Sequence, residues 1–208
     1  MKRTLLFIGT IMATMTYAQD CSDLFISEYV EGVGNNKALE IYNPTAASID
    51  LSEYIVIRYG NGATSATAQN AVQLTGTIGA YDVHVGVLEK LDPNGTNQDI
   101  PVWDSLQARA DAFYSPEYAV SNTFYWNGND AVALAKGDAA NPGAAVVVDI
   151  FGKIGEDPGD GWSTDFPYTG AGTVVTKDHS LIRKSTVMTG ETNPAISFFD
   201  ALAEYDSI

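Results

Sequence analysis

The residues of this chain with the types and spacing for chemistry are mostly oxygen donors. Glu28, Glu31 and Glu40 surround one Asn/Gly-rich stretch. Alternation along a strand sets Glu28 and Glu40 on the same exposed face. Two neighbouring carboxylates are the apparatus of glycoside hydrolysis. A half-buried strand also carries its charges on its wet face, and that plainer reading suffices here. Two acidic turns offer a different chemistry, one from Asp92 to Asp99 and the other from Glu156 to Asp160. Calcium takes six to eight oxygens, which makes Asp92, Asn94, Asp99, Asp157 and Asp160 candidate ligands. Neither turn has EF-hand spacing, because the glycine and the closing glutamate are misplaced. Asx-rich surface turns have the same composition without any metal. Ca2+ is therefore the one cofactor these residues admit, and nothing in them requires it.

Other chemistries find less. The two histidines, His84 and His179, lie in no HxH, HxxxH or HExxH pattern, so a metal or acid/base pair has no local partner. There is no Gly-x-Ser-x-Gly elbow for a nucleophile. The glycine-rich stretches lack a following Lys-Ser/Thr and do not cradle phosphate. The single cysteine, Cys21, stands close to the N-terminus and reads as a free thiol, an outside partner cysteine being the sharper alternative. Aromatic side chains gather before an Asn-Gly turn, among them Tyr118, Tyr125 and Trp126. Exposed, they would stack on sugars or anchor a partner protein; buried, they fill the end of a core.

The elements that must position these groups are short and β-rich. Strands are predicted over 24–30, 38–43, 54–59, 71–74, 83–88, 130–135, 145–151 and 180–183, separated by Gly, Asn and Pro turns. Gly32, Gly34, Asn35 and Asn36 suit a hairpin loop, and Pro44 ends the second strand. Val102, Leu106, Ala110 and Phe113 recur at helical intervals, which predicts a short helical insertion within 101–114. Evenly spaced short strands argue for an all-β sandwich or barrel rather than for βαβ units.

Met1–Ala18 is laid out as a secretory signal peptide: Lys2 and Arg3, an apolar run from Leu5 to Met15, then Thr16-Tyr17-Ala18. A spanning helix needs about 20 apolar residues, and Thr10, Thr14 and Thr16 shorten this run. Cleavage is expected before Gln19, leaving residues 19–208 as one domain, exported to the periplasm, the cell surface or the medium. Gln19-Asp20 before Cys21 argues against a lipid anchor. The formal charge is −15, and loss of Lys2 and Arg3 takes it to −17. That field repels phosphate backbones, which are held through Lys and Arg, so nucleic acid is not the expected partner of this chain alone.

Several stretches, taken in order, carry a family resemblance: FISEYVEGVGNNKALEIYNPT, IDLSEYIV, LTGTIGAYDVHVG, WNGNDAVALAKGD, VVDIFGKIGEDPG and HSLIRK. Together they resemble the bacterial form of the lamin tail domain, across roughly Asp23 to Tyr205. The resemblance implies an immunoglobulin-like β-sandwich with no defining catalytic residues. It implies a module attached to exported nucleases, phosphatases and other surface hydrolases, or one that stands alone. Family members usually continue into a further closing segment. Here Glu204–Ile208 reads as the start of a strand, which leaves open a fragment or a domain ending one element short.

The expectation is thus an exported, acidic, non-catalytic sandwich that binds or tethers a protein or a cell-surface polymer. Two alternatives stand beside it: an accessory domain of an exported nuclease or phosphatase whose catalytic domain lies elsewhere, and a calcium-stabilised structural protein.

Overall fold

Alternating apolar residues with β-branched and aromatic side chains make strands wherever one face can be buried. In the computed structural model, which describes residues 22–166 and 171–208, they do so twelve times. The strands are β1 (Phe25–Glu31), β2 (Lys37–Tyr42), β3 (Ile49–Asp50), β4 (Tyr54–Tyr59), β5 (Ala71–Gln73), β6 (Thr77–Ile78) and β7 (Val83–Leu88). After one helical turn, α1 (Asp104–Gln107), come β8 (Ala112–Tyr114), β9 (Ala131–Lys136), β10 (Val146–Phe151) and β11 (His179–Arg183). A second turn, α2 (Ala201–Glu204), leads into β12 (Tyr205–Ser207). The signal peptide and Cys21 lie outside the described residues. Among the described residues no helix is long and apolar enough to cross a membrane.

The strands form a sandwich. One sheet has the order β12-β11-β1-β2-β7-β8, and the other β10-β9-β4-β5. A small ribbon pairs β3 with β6. All pairings are antiparallel except β7 with β8. Ile26, Tyr29 and Leu39 from the first sheet meet Val56, Val132 and Leu134 from the second in one buried cluster. The four-stranded sheet is buried on its other face too, where Ile55, Ile57, Ala133 and Ile150 form a second cluster. Double burial explains the nearly continuous apolar runs of β4 and β9.

Two corrections concern the elements. The helix predicted within 101–114 is a single turn, followed by strand β8. Helical spacing of Ala110 and Phe113 lost to the open edge of β7, whose backbone groups need partners. Asp111 makes the join: its N–H donates to the Val85 carbonyl at 2.9 Å, and its carboxylate accepts the Val85 N–H at 2.8 Å. The ribbon β3–β6 was not expected, since two-residue strands show no periodicity. Tyr205–Ser207, read as the start of a strand, pairs with β11 at the sheet edge.

Candidate functional site

The outer face of the six-stranded sheet carries a groove of about 420 Å3. Its floor is Val30 of β1, Ala38 of β2 and Val85 of β7. One wall is the segment around α1, which contributes Trp103, Leu106 and Arg109; His179, Ser180 and Ile208 form part of the rim. Trp103 is 62% exposed, and its backbone N–H donates to Asn36 Oδ1 at 2.8 Å. The β1–β2 hairpin loop thereby fixes the position of the wall.

Within the groove Glu28 and Glu40 stand directly opposite each other on β1 and β2. The alternation read from sequence placed both on one face, and so does the structure. A register shift between Ile26 and Glu28 marks a bulge beside them, where the Ser27 hydroxyl donates to Glu40 Oε1 at 2.7 Å. Burial and the Glu40 charge push the Glu28 carboxyl above its ordinary value, while Ser180 and Arg109 pull it back. Arg109 donates from Nη1 to the Ser105 carbonyl at 2.6 Å. Glu31 is absent from this groove; it is buried and ion-paired with Lys37 at the base of the hairpin.

Two like charges over an apolar floor, with an indole on the rim, are chemically complementary to a cation with an apolar stem. Their register alone does not mark them as a hydrolytic pair, since charges on the wet face of a strand pair are ordinary.

The calcium candidates fall in two separate turns. Asp92 Oδ1 accepts the Asn94 N–H at 2.9 Å, and Asp99 Oδ1 takes the Lys90 ammonium at 2.6 Å. Asp157 Oδ1 accepts the Gly159 N–H at 3.0 Å, and Asp160 faces Lys177 at 3.9 Å. Among the described residues no group of three or more His, Cys, Asp or Glu could hold a metal ion. These oxygens are organised by turn N–H groups and cations.

The aromatic candidates divide. Trp126 is fully buried and donates from Nε1 to the Val30 carbonyl at 2.9 Å. It packs on Tyr29 and Phe124, so as a surface binding residue it is corrected to a core residue, its apolar bulk having gone inward. Tyr118 and Tyr125 line a surface cleft together. His84 is buried against the Tyr114 hydroxyl at 3.1 Å, and burial lowers its pKa. His179 donates from Nδ1 to the Lys177 carbonyl at 2.6 Å. Sequence reasoning missed Trp103 and Arg109 because a continuous helix hid their exposure. The one available signal was a Trp beside Asp104 in a polar stretch.

Two facing sheets with a shared apolar core form a β-sandwich of the immunoglobulin-like kind. The model of the Lamin Tail Domain family matches residues 18–150, and the chain belongs to that family. The match runs from β1 almost to the end of β10; β11 and β12, which extend the first sheet beyond β1, lie outside it. No curated protein gives a significant match to the chain.

Proposed function

We propose that this chain is an exported, non-catalytic module that binds a cationic, partly apolar segment of a partner protein at the cell surface or outside the cell. The observation that carries the reading is the Glu28–Glu40 carboxylate pair over the apolar floor beside exposed Trp103. Lys and Arg match it in two ways, their stems covering apolar surface while their charged heads meet carboxylates. The overall charge of −15 adds long-range attraction for a basic partner. Export rests on the layout of Met1–Ala18, and the absence of catalysis on membership of the Lamin Tail Domain family, whose fold is generally non-catalytic.

A displayed random-peptide library selected on the purified protein tests this. Enriched sequences are expected to be rich in Lys or Arg with an adjacent apolar residue. A synthetic copy titrated against the protein should change tryptophan fluorescence through Trp103, because Trp126 and Trp162 are fully buried. The double variant E28Q/E40Q should weaken that binding at least tenfold. Selection of acidic or neutral peptides, or binding unchanged in E28Q/E40Q, would overturn the reading. Turnover of DNA or phosphate esters by the purified chain would remove its non-catalytic part.

A further inference from the structure

A second concavity lies on the other side of the hairpin tip. Asn36 lines the outer-sheet groove, whereas its neighbour Asn35 lines a cleft of about 210 Å3 with Gln98, Tyr118 and Tyr125. This cleft continues into a shallower one of about 500 Å3 that adds Lys90, Asp99 and Glu117. Tyr118 and Tyr125 meet edge to face, with ring centroids 5.0 Å apart and planes at 83°. Tyr118 is 49% exposed, which leaves a ring open to a ligand.

The cleft is held in shape from below. Arg58 donates from Nη1 to the carbonyls of Asn122 at 2.8 Å and Tyr125 at 3.0 Å. Gln69 Nε2 donates to the Ala119 carbonyl at 2.9 Å, and Lys90 Nζ to the Pro116 carbonyl at 2.8 Å. Both ends and the middle of the 116–125 loop are thus tied to strands or neighbouring loops. A preformed site loses little conformational entropy on binding.

The free polar groups define what fits. Both N–H groups of the Asn35 amide are committed, to the carbonyls of Gln98 at 2.9 Å and Ile100 at 2.7 Å. Its Oδ1 remains as an acceptor. Asp99 gives one oxygen to Lys90 and keeps the other. Among the described residues the Glu117 carboxylate and the Gln98 side-chain amide have no hydrogen-bond partner in the protein, whereas the Tyr125 hydroxyl is buried beside the Lys90 ammonium and is not offered to a ligand. The rim is therefore rich in acceptors, next to an open aromatic face.

We propose that the Tyr118–Tyr125 cleft is a carbohydrate subsite that takes a neutral glycan chain. Sugar hydroxyls donate to the acceptors, and the apolar C–H face of the ring stacks on Tyr118. A proline-rich segment, the other ligand of paired tyrosines, offers carbonyl acceptors and few donors, so it leaves these acceptors unmatched. A cation finds its place taken, since the Lys90 ammonium already lies 5.8 Å from the Tyr125 ring centroid. Anionic glycans meet Asp99 and Glu117 and are repelled.

The test uses cellohexaose, laminarihexaose, xylohexaose, mannohexaose and chitohexaose as probes, titrated calorimetrically into the purified protein. At least one is expected to give saturable heat. Y118A should weaken that binding at least tenfold while lowering the melting temperature by no more than about 6 °C, the loss expected for one edge-to-face contact with Tyr125. W103A should bind the same sugar as tightly as the unsubstituted protein, which separates this cleft from the groove. Absence of binding to all five probes would overturn the proposal. So would binding unchanged in Y118A, or Tyr118-dependent binding of a decaproline peptide in place of the sugars.

Discussion

Replacing Arg183 by Met should unfold the far edge of the sandwich before anything else. The Arg183 guanidinium is sealed between the two sheets, with 2% of its side chain exposed. It donates to the Ile26 carbonyl at 2.6 Å, the Thr189 carbonyl at 2.8 Å, Asp149 Oδ2 at 2.6 Å and the Tyr205 hydroxyl at 2.7 Å. One side chain thereby joins β1, β10, β12 and the 184–200 loop. Methionine fills much of the volume but supplies none of the donors, and it leaves the Asp149 charge buried without its counterion. Breaking a buried pair from one side costs about 3–5 kcal/mol. Asp149 keeps the backbone N–H groups of Ile26, Ile150 and Glu191, which places the expected loss near the lower end, about 3 kcal/mol. In urea, with a slope of about 1–3 kcal/mol per molar, the midpoint falls by about 1–3 M. Burial already pushes the Asp149 carboxyl upwards against the pull of Arg183, so in R183M the stranded carboxylate opposes folding when ionised, and the gap to the unsubstituted protein should narrow as the pH is lowered and Asp149 protonates. A loss under about 1 kcal/mol for R183M, or a gap that does not narrow at low pH, would refute the reasoning.

Three further outcomes are expected. Gly152 has φ +85, and a Cβ there would lie 2.6 Å from Cη2 of fully buried Trp162 and 3.0 Å from the Ala131 Cα; G152A should cost about 2–4 kcal/mol, seen as a melting temperature lowered by about 5–15 °C, and a shift under about 2 °C would contradict it. The raised pKa of Glu28 means that the folded state holds its proton more tightly than the unfolded state, so this group opposes folding when ionised. E28Q should therefore be more stable than the unsubstituted protein at neutral pH, with the gain shrinking as pH falls through the raised folded value and gone below about 4, the unfolded range; a pH-independent difference in urea midpoints would count against it. Calcium at 1 mM should leave the melting temperature unchanged within about 1 °C, since a ligand stabilises only in proportion to its occupancy of the folded state; a larger rise, reversed by chelator, would restore Asp92, Asn94, Asp99, Asp157 and Asp160 as ligands.

The two candidate binding surfaces share one structural device. Gly32–Asn36 turns the chain between β1 and β2, with Gly34 at φ +65, and its amides pin the loops on both sides. Asn36 holds Trp103 and Asn35 holds the Gln98–Ile100 carbonyls. The hairpin therefore sets the spacing between groove and cleft, and substitution of either asparagine perturbs one surface through the loop it anchors.

The longer strands were legible in the chain because their information is local. Alternation in Phe25–Glu31 and the apolar run of Ala131–Lys136 state which face is buried, and Gly-Asn turns state where each strand stops. The placement of Glu28 opposite Glu40 was legible for the same reason, since facing strands share a period of two. What the sequence could not settle was competition between distant partners. Ala112–Tyr114 keeps a helical pattern yet pairs with β7, because an open sheet edge about 25 residues earlier offers better partners for its backbone. Trp126 and Tyr118 stand a few residues apart in one aromatic run, and only packing put the first in the core and left the second at the surface. Local chemistry determined the strands, their turns and the family; the tertiary structure alone decided which aromatic and acidic side chains face water together, because burial depends on what the rest of the chain brings to cover them.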